Sequence, residues 1–374
     1  MRNINFFKKV LFTLIVNVAI IFLLLGFVSS ALPIAYDLYK PFRYRSNPSE
    51  LPNYASLEWA KQFFAEYNDL PSKYFDFIGW RRKAFKGKTI TIDESGYRRY
   101  FSEISSDLKS SKIWLFGGSA MWGTGARDNE TIPAFVQKFS GKTTFNFGET
   151  GYVAHQSLNL LMKAYLEGGK PEKVVFYDGV NEVLNKCRVG ASFFSTLQEV
   201  QVQKWVERNS FGHSSFFSVF DPTVEILAKA QLFAKGLVNS RRSNVSLNGD
   251  MLECHLDSRK AELITNNLMD DWRVAKFLVE SKGGVFIPVL QPVAYIGSPN
   301  LIHLPNVFRD DLWKKQYEIV YEKIRLSAKK LKIDYVDMTD VFDVKDFVYI
   351  DLCHVSPNGN ELVAKRLLKN RLFP

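Results

Sequence analysis

Cysteine is scarce: Cys187, Cys254 and Cys353 are the only three in 374 residues. So few exclude a disulfide-dense scaffold, and no spacing among them fits a zinc site. One cysteine stays unpaired whatever the others do. In an oxidising compartment the expected pair is Cys187 with Cys254, closing a long loop. Cys353, between Leu352 and His354, reads as a small buried filler. Histidine is nearly as rare, and a base that titrates near neutrality must come from His155, His213, His255, His303 or His354. No internal repeat, low-complexity tract or basic run is present. The net charge of +10 is spread along the chain. A scattered excess favours acidic surroundings such as anionic lipid or acidic glycan and leaves no footprint for nucleic acid.

What is present belongs to a globular chain. A hydrophobic content of 46% with 14% aromatics is too apolar for disorder, and the length allows at least one large core. The amino terminus stands apart. Residues 10–28 carry no charge, and Asn17 is their only strongly polar member. At the helical rise this run spans close to the ~30 Å hydrocarbon core of a bilayer. Arg2, Lys8 and Lys9 precede it, which favours a cytoplasmic amino terminus; Lys40, Arg43 and Arg45 follow, but long domains translocate largely regardless of charge. A cleaved signal peptide is the competing reading, since Ser29-Ser30-Ala31 offers small residues, yet the run exceeds the roughly 7–15 apolar residues usual there. The expectation is a cytoplasmic stretch 1–9, a transmembrane anchor 10–30, a tether and accessory segment 31–110, and a main domain 111–374 outside the cytoplasmic membrane.

In the accessory segment, 57–67 has helical spacing in Trp59, Phe63 and Phe64, and 89–92 followed by Asp93-Glu-Ser-Gly96 reads as a strand and turn. From Lys112 onward apolar strands alternate with helical patterns. Strands are expected at 113–116, 144–147, 174–177, 285–290 and 335–338, and helices at 132–139, 157–166, 261–280, 312–331 and 358–372. The first and third strands are near-continuous apolar runs, as in parallel strands covered on both faces. Ser356 before Pro357 marks a helix start. Such alternation predicts a doubly wound α/β sheet. It breaks at 185–257, an insertion after the third strand that is read either as a cap over the sheet's functional edge or as a peripheral embellishment.

The chemistry-bearing residues fall at strand ends. Leu115-Phe-Gly-Gly-Ser119 delivers a serine to the carboxyl end of the first strand, where open α/β sheets collect ligands. A nucleotide P-loop is excluded, because the residues after Gly123 are Thr124 and Gly125 rather than Lys with Ser or Thr. A serine hydroxyl needs a base within hydrogen-bond reach. His354, between the last strand and the terminal helix, is placed on the same sheet edge, with Asp351 three residues earlier to orient it. Ester chemistry develops an oxyanion, and three donors are available: the Ser119 amide, the Gly151 amide and the Asn181 side chain. His155 lies near this cleft but more often such a residue is structural. Asp178 and Glu182, flanking Asn181, read as solvated or capping groups.

Gly117-Gly-Ser119, Asn146-Phe-Gly-Glu-Thr-Gly151, Gly179-Val-Asn181 and Asp351-Leu-Cys-His354, in this order, resemble the four sequence blocks of the SGNH hydrolases, also called the GDSL lipase/esterase superfamily. The resemblance covers roughly Lys112 to the end. It implies a three-layer α/β/α, flavodoxin-like fold with a five-stranded parallel sheet. It also implies Ser119 as nucleophile, His354 as base, Asp351 as its orienter, and Ser119, Gly151 and Asn181 as the oxyanion hole. No metal or cofactor is expected. The implied substrate is an ester, expected to be an acylated, foremost O-acetylated, cell-envelope glycan, with acyl transfer as the variant that uses the same residues and a catalytically idle glycan-binding module as the alternative. Two departures stand out: Gly118 replaces the aspartate that usually precedes the serine, and Glu182 stands where many relatives have aspartate.

Overall fold

The computed structural model describes residues 47–100, 107–191 and 251–369, with 9–17 and the single positions 20, 21, 24, 27, 196 and 199. The chain divides into two compact units, Met1–Ser46 with Gln201–Ser243, and Asn47–Val200 with Asn244–Pro374. Most of the first unit, and with it the body of the expected cap, lies outside the described residues. The described part of the expected anchor is helical and exposed. Among the described residues no helix is long and apolar enough to cross a membrane.

The second unit opens with helix α1 (Ala60–Asn68) and five short strands. Strands β1 (Ser72–Phe75) and β2 (Gly79–Arg82) form an antiparallel pair. Strands β3 (Phe85–Lys86), β4 (Thr91–Ile92) and β5 (Arg98–Arg99) form a second antiparallel sheet. The main sheet follows, in the sequence β6 (Ile113–Gly117), α2 (Ser119–Trp122), α3 (Ile132–Ser140), β7 (Thr144–Asn146), α4 (Ala154–Leu166), β8 (Lys173–Asp178), α5 (Val180–Lys186), α6 (Ser258–Ser281), β9 (Val285–Leu290), α7 (Asp311–Leu331), β10 (Val336–Asp337) and α8 (Pro357–Lys369). Its five strands are all parallel, in the order β10-β9-β8-β6-β7. The register pairs Gly117 with Tyr177, Tyr177 with Val289 and Val289 with Val336, so the carboxyl ends of the four neighbours lie level.

The apolar strands have two buried faces because alternate side chains enter different cores. Trp114, Phe116, Val174, Phe176 and Phe286 join Leu161, Trp272, Tyr317 and Tyr321 of α4, α6 and α7. Ile113, Leu115, Val175, Ile287 and Val289 join Phe135, Val136, Val363 and Leu367 of α3 and α8. Helices thus cover both faces, the three-layer α/β/α arrangement. Each fully buried side chain of this kind contributes roughly 1.5–3 kcal/mol. The segment before the main sheet supplies both cores, with Ile78, Trp80 and Tyr97 in one and Tyr54, Phe63 and Ile92 in the other.

One expected helix, α3, starts at Ile132 as the apolar spacing indicates, and the other four start one to three residues earlier. The caps lie outside the periodic pattern: Thr131 accepts from the Ala134 amide, Asp257 from Arg259 and Lys260, and Asp310 from Leu312 and Trp313. The expected helix end at 372 lies outside the described residues. Cys187 and Cys254 are disulfide-bonded and Cys353 is free and buried. The bond sits at the root of the insertion, beside a bridge between Arg188 and Leu252.

Candidate active site

Ser119 is the first residue of the single-turn helix α2, reached from β6 through Gly117 and Gly118. The Trp122 amide donates to the Gly118 carbonyl at 3.0 Å and the Gly123 amide to the Ser119 carbonyl at 3.0 Å. The turn therefore closes directly behind the serine and leaves its hydroxyl partly exposed at the sheet edge.

His354 reaches the same point from the other end of the chain. A bridge between Tyr349 and Val355, and a bond from the Ile350 amide to the His354 carbonyl at 2.9 Å, pinch the turn that holds it. Inside that turn, Asp351 Oδ1 accepts the amides of Cys353 at 2.8 Å and His354 at 2.7 Å. Its Oδ2 lies 2.5 Å from His354 Nδ1. His354 Nε2 lies 2.6 Å from Ser119 Oγ. An Nδ1–H given to the carboxylate leaves the Nε2 lone pair facing the serine hydroxyl, which is the tautomer a general base requires. Burial alone would raise the Asp351 carboxyl, but the His354 charge and the hydrogen bonds from His354 and Cys353 hold it below its usual range. Burial likewise opposes charge on His354, yet Asp351 beside it lifts the imidazole well above its ordinary value. Burial pushes the Cys353 thiol up.

Three of the other histidines are accounted for elsewhere. His155 Nδ1 lies 2.9 Å from Asp271 Oδ1, and that hydrogen bond raises its pKa. His255 pairs with Gln316, and His303 Nε2 donates to the Tyr349 carbonyl at 2.7 Å. His213 lies outside the described residues.

The Asn181 side chain meets the serine loop edge-on. A methyl group added at Gly118 would stand 2.3 Å from Asn181 Nδ2 and 3.4 Å from the Tyr152 carbonyl. Glycine at 118 thus lets the amide group close on the residue before Ser119. Asn181 Nδ2 donates to the Tyr152 carbonyl at 2.7 Å, which ties it to the residue after Gly151. Gly151 itself has φ +79°, a left-handed conformation in which glycine is unstrained. Among the described residues neither the Ser119 nor the Gly151 amide has an acceptor. Unengaged N–H groups are what a developing oxyanion needs.

Asp178 departs from expectation. It is buried rather than solvated, accepts the Trp272 indole N–H at 2.9 Å, and is pushed well up by burial first and the neighbouring Glu182 second. Glu182 is a cap, as its position suggested. Its carboxylate accepts the Gly179 amide at 2.8 Å and the Ala154 amide at 2.7 Å, joining the helix of Asn181 to the helix after Gly151. The longer side chain of glutamate spans both. Asp351, Cys353 and His354 place one donor atom each within 4.8 Å of one another, a metal-like spacing. The carboxylate is already engaged by His354 and two amides, and the buried thiol is held protonated, so this donor set suits a proton relay better than a cation.

Sequence reading missed residues that approach the site from the segment before the sheet: Asn53, Tyr54, Trp80 and Arg98. Nothing in their spacing marks them, because each acts through a contact with a loop far along the chain.

No protein-family model and no curated protein matches the chain. It is similar in structure to several solved ester hydrolases. One is a member of the lipolytic G-D-S-L family from Veillonella parvula, at 11% identity over 70% of this chain and 98% of that one, with a TM-score of 0.37. A second is the acetyl xylan esterase AlAXEase, at 15% identity over 68% and 97%, with a TM-score of 0.36. A third is a carbohydrate acetylesterase family member from Sinorhizobium meliloti, at 12% identity over 69% and 95%, with a TM-score of 0.34. At these scores the likeness carries no weight of its own, and the chemistry rests on the arrangement of Ser119, His354 and Asp351.

Proposed function

We propose that this chain is a serine esterase of the SGNH hydrolase type that cleaves O-acyl groups, foremost O-acetyl, from a cell-envelope carbohydrate. The observation that carries the reading is the continuous relay from Ser119 Oγ to His354 Nε2 at 2.6 Å and from His354 Nδ1 to Asp351 Oδ2 at 2.5 Å. Ser119 Oγ attacks the ester carbonyl while His354 Nε2 takes its proton, and Asp351 stabilises the imidazolium. The oxyanion is received by the Ser119 and Gly151 amides and the Asn181 side chain. Collapse expels the sugar hydroxyl with the proton from His354. Water, deprotonated by the same imidazole, then releases the acyl group from Ser119.

Membrane anchoring through residues 10–30 and a domain outside the cytoplasm complete the proposal. They are supported by the uncharged run behind Arg2, Lys8 and Lys9, and by the Cys187–Cys254 bond, which suits an oxidising compartment. The positive net charge suits an acidic glycan.

The test is Ser119→Ala assayed with p-nitrophenyl acetate, alongside labelling by a fluorophosphonate. The wild-type chain is expected to turn over and to label at Ser119, and the variant to do neither while keeping its circular dichroism. Retained turnover in the variant removes Ser119 from its role. A folded wild-type protein that does not label is instead an idle glycan-binding module. Product analysis with and without a glycan acceptor distinguishes hydrolysis from acyl transfer.

A further inference from the structure

Residues 47–100 precede the sheet that carries the reactive groups, yet they touch the loops that carry Ser119, Gly151 and His354. The contacts are specific. On the oxyanion side, the Trp80 indole N–H donates to the Thr150 carbonyl at 2.8 Å. That carbonyl belongs to the peptide whose N–H is the Gly151 donor. Peptide planarity points the two in opposite directions, so a partner on one sets the aim of the other. The neighbouring residue is held at the same place, because the Tyr152 hydroxyl donates to the Trp80 carbonyl at 2.5 Å and the two rings pack edge to face at 5.4 Å. The Arg82 amide donates to Glu149 Oε2 at 3.0 Å, which fixes the start of the same loop.

On the nucleophile side, Arg98 is buried and caps the carboxyl end of α2. Its guanidinium donates to the carbonyls of Gly123 at 2.7 Å and Ala126 at 2.6 Å, pairs with Asp128 at 3.0 Å, and lies 4.3 Å over the Trp122 ring. A helix of one turn cannot hold its own ends, since its terminal carbonyls have no internal partners. On the base side, Asn53 Nδ2 donates to the Tyr349 carbonyl at 3.0 Å, at the edge of the turn that holds Asp351 and His354. The Tyr54 hydroxyl donates to the Gly125 carbonyl at 2.5 Å. Gly125 packs against that turn as well: a methyl group added there would stand 2.7 Å from Ile350 Cδ1 and 2.9 Å from the Val355 carbonyl. Tyr54 therefore sits where the serine loop meets the histidine loop.

We infer that residues 47–100 are an intramolecular brace for the catalytic centre, in which Trp80 is a positioning residue that aims the Gly151 amide at the oxyanion and Tyr54 one that sets the spacing between the serine and histidine loops. This rests on the esterase reading above. The brace is a means of preorganisation: the oxyanion donors gain their effect from being fixed before the charge develops, and a donor free to swing loses most of it. Neither Trp80 nor Tyr54 touches the reacting atoms in this scheme, so the loss of either is expected in kcat rather than in KM.

That separation gives the test. In the full-length chain, Trp80→Phe keeps an aromatic ring against Tyr152 and removes the N–H donor. Its kcat for p-nitrophenyl acetate is expected to fall about ten-fold, short of the ~10²–10³ lost with an oxyanion donor outright. KM should stay within about three-fold, and the rate of fluorophosphonate labelling should fall in parallel. A folded Trp80→Phe protein with kcat reduced less than about three-fold, or altered only in KM, overturns the inference. If Trp80→Phe does not fold, Tyr54→Phe, which deletes a single hydroxyl, is judged by the same two outcomes. Ser119→Ala and wild type are run together with these variants. A wild-type protein that neither turns over nor labels overturns the esterase reading itself, whereas full loss in Ser119→Ala beside an unaffected Trp80→Phe overturns only the brace.

Discussion

Asp351 does two jobs with two oxygens, and both bear on how His354 titrates. Oδ1 holds the turn through the Cys353 and His354 amides, and Oδ2 faces Nδ1. Since the carboxylate lifts the imidazole above its ordinary range, Nε2 stays protonated to a higher pH than in a free histidine. A protonated Nε2 cannot accept the Ser119 proton. Activity is therefore expected to rise with pH through the raised His354 value, with the acid limb of kcat/KM lying above about 6.5. Asp351→Asn removes both the lifting charge and the tautomer control. It should move that limb downward and reduce kcat by about 10⁴, as in other triads that lose the carboxylate. A pH–rate profile of the two proteins checks this, and an unshifted limb in the variant would show that Asp351 does not govern His354. Asp351, His354 and Ser119 were legible as candidates in the sequence because each sits in a short local motif, Ser119 at a strand end and the other two in the turn before the terminal helix. The role of Glu182 as a double cap was legible only by half, since its second partner, the Ala154 amide, lies 28 residues away.

At the scale of elements, α2 and the loop after β7 are packed too closely for any side chain between them. A methyl group on Gly148 would stand 2.3 Å from the Trp122 amide nitrogen and 2.7 Å from the Met121 carbonyl carbon. Both neighbours are backbone, so relief requires displacing α2 and with it Ser119. Gly148→Ala is expected to lose about 1–3 kcal/mol of stability, the usual cost of overpacking, and to lose kcat as well. Urea denaturation and turnover measure the two effects, and an unchanged denaturation midpoint would mean the loop yields without moving the helix. The strands of the main sheet and most of its helices were readable from apolar periodicity. The starts of α6 and α7 were misplaced because their caps, Asp257 and Asp310, carry no apolar signal. Asp178 was misjudged for a different reason: its burial depends on Trp272, a partner on a helix 94 residues away.

At the scale of the whole molecule, the disulfide closes the root of an insertion whose two ends lie 67 residues apart. Loop-closure entropy for that separation predicts that replacing both cysteines by alanine costs about 4 kcal/mol. A loss below about 1 kcal/mol in chemical denaturation of Cys187→Ala/Cys254→Ala would assign the root's stability to other ties. Lys260 is the competing one. Its ammonium donates to the Arg188 carbonyl at 2.7 Å and pairs with Glu253, bridging the same two chain segments. The same scale explains why residues 47–100 looked like an accessory. Among the described residues their short strands pair only with one another, while their side chains reach loops between 122 and 152 and near 349.

The sequence by itself determined the parallel α/β core and singled out Ser119, His354 and Asp351 as candidates, because those follow from apolar runs, turn glycines and short motifs, all of which are local. Tertiary structure alone decided how they meet. The 2.6 Å contact between Ser119 and His354 spans 235 positions, and the Trp80 bond to the Thr150 carbonyl spans 70. Contacts of that range are set by the register of the parallel sheet and the filling of two cores, which no window along the chain contains.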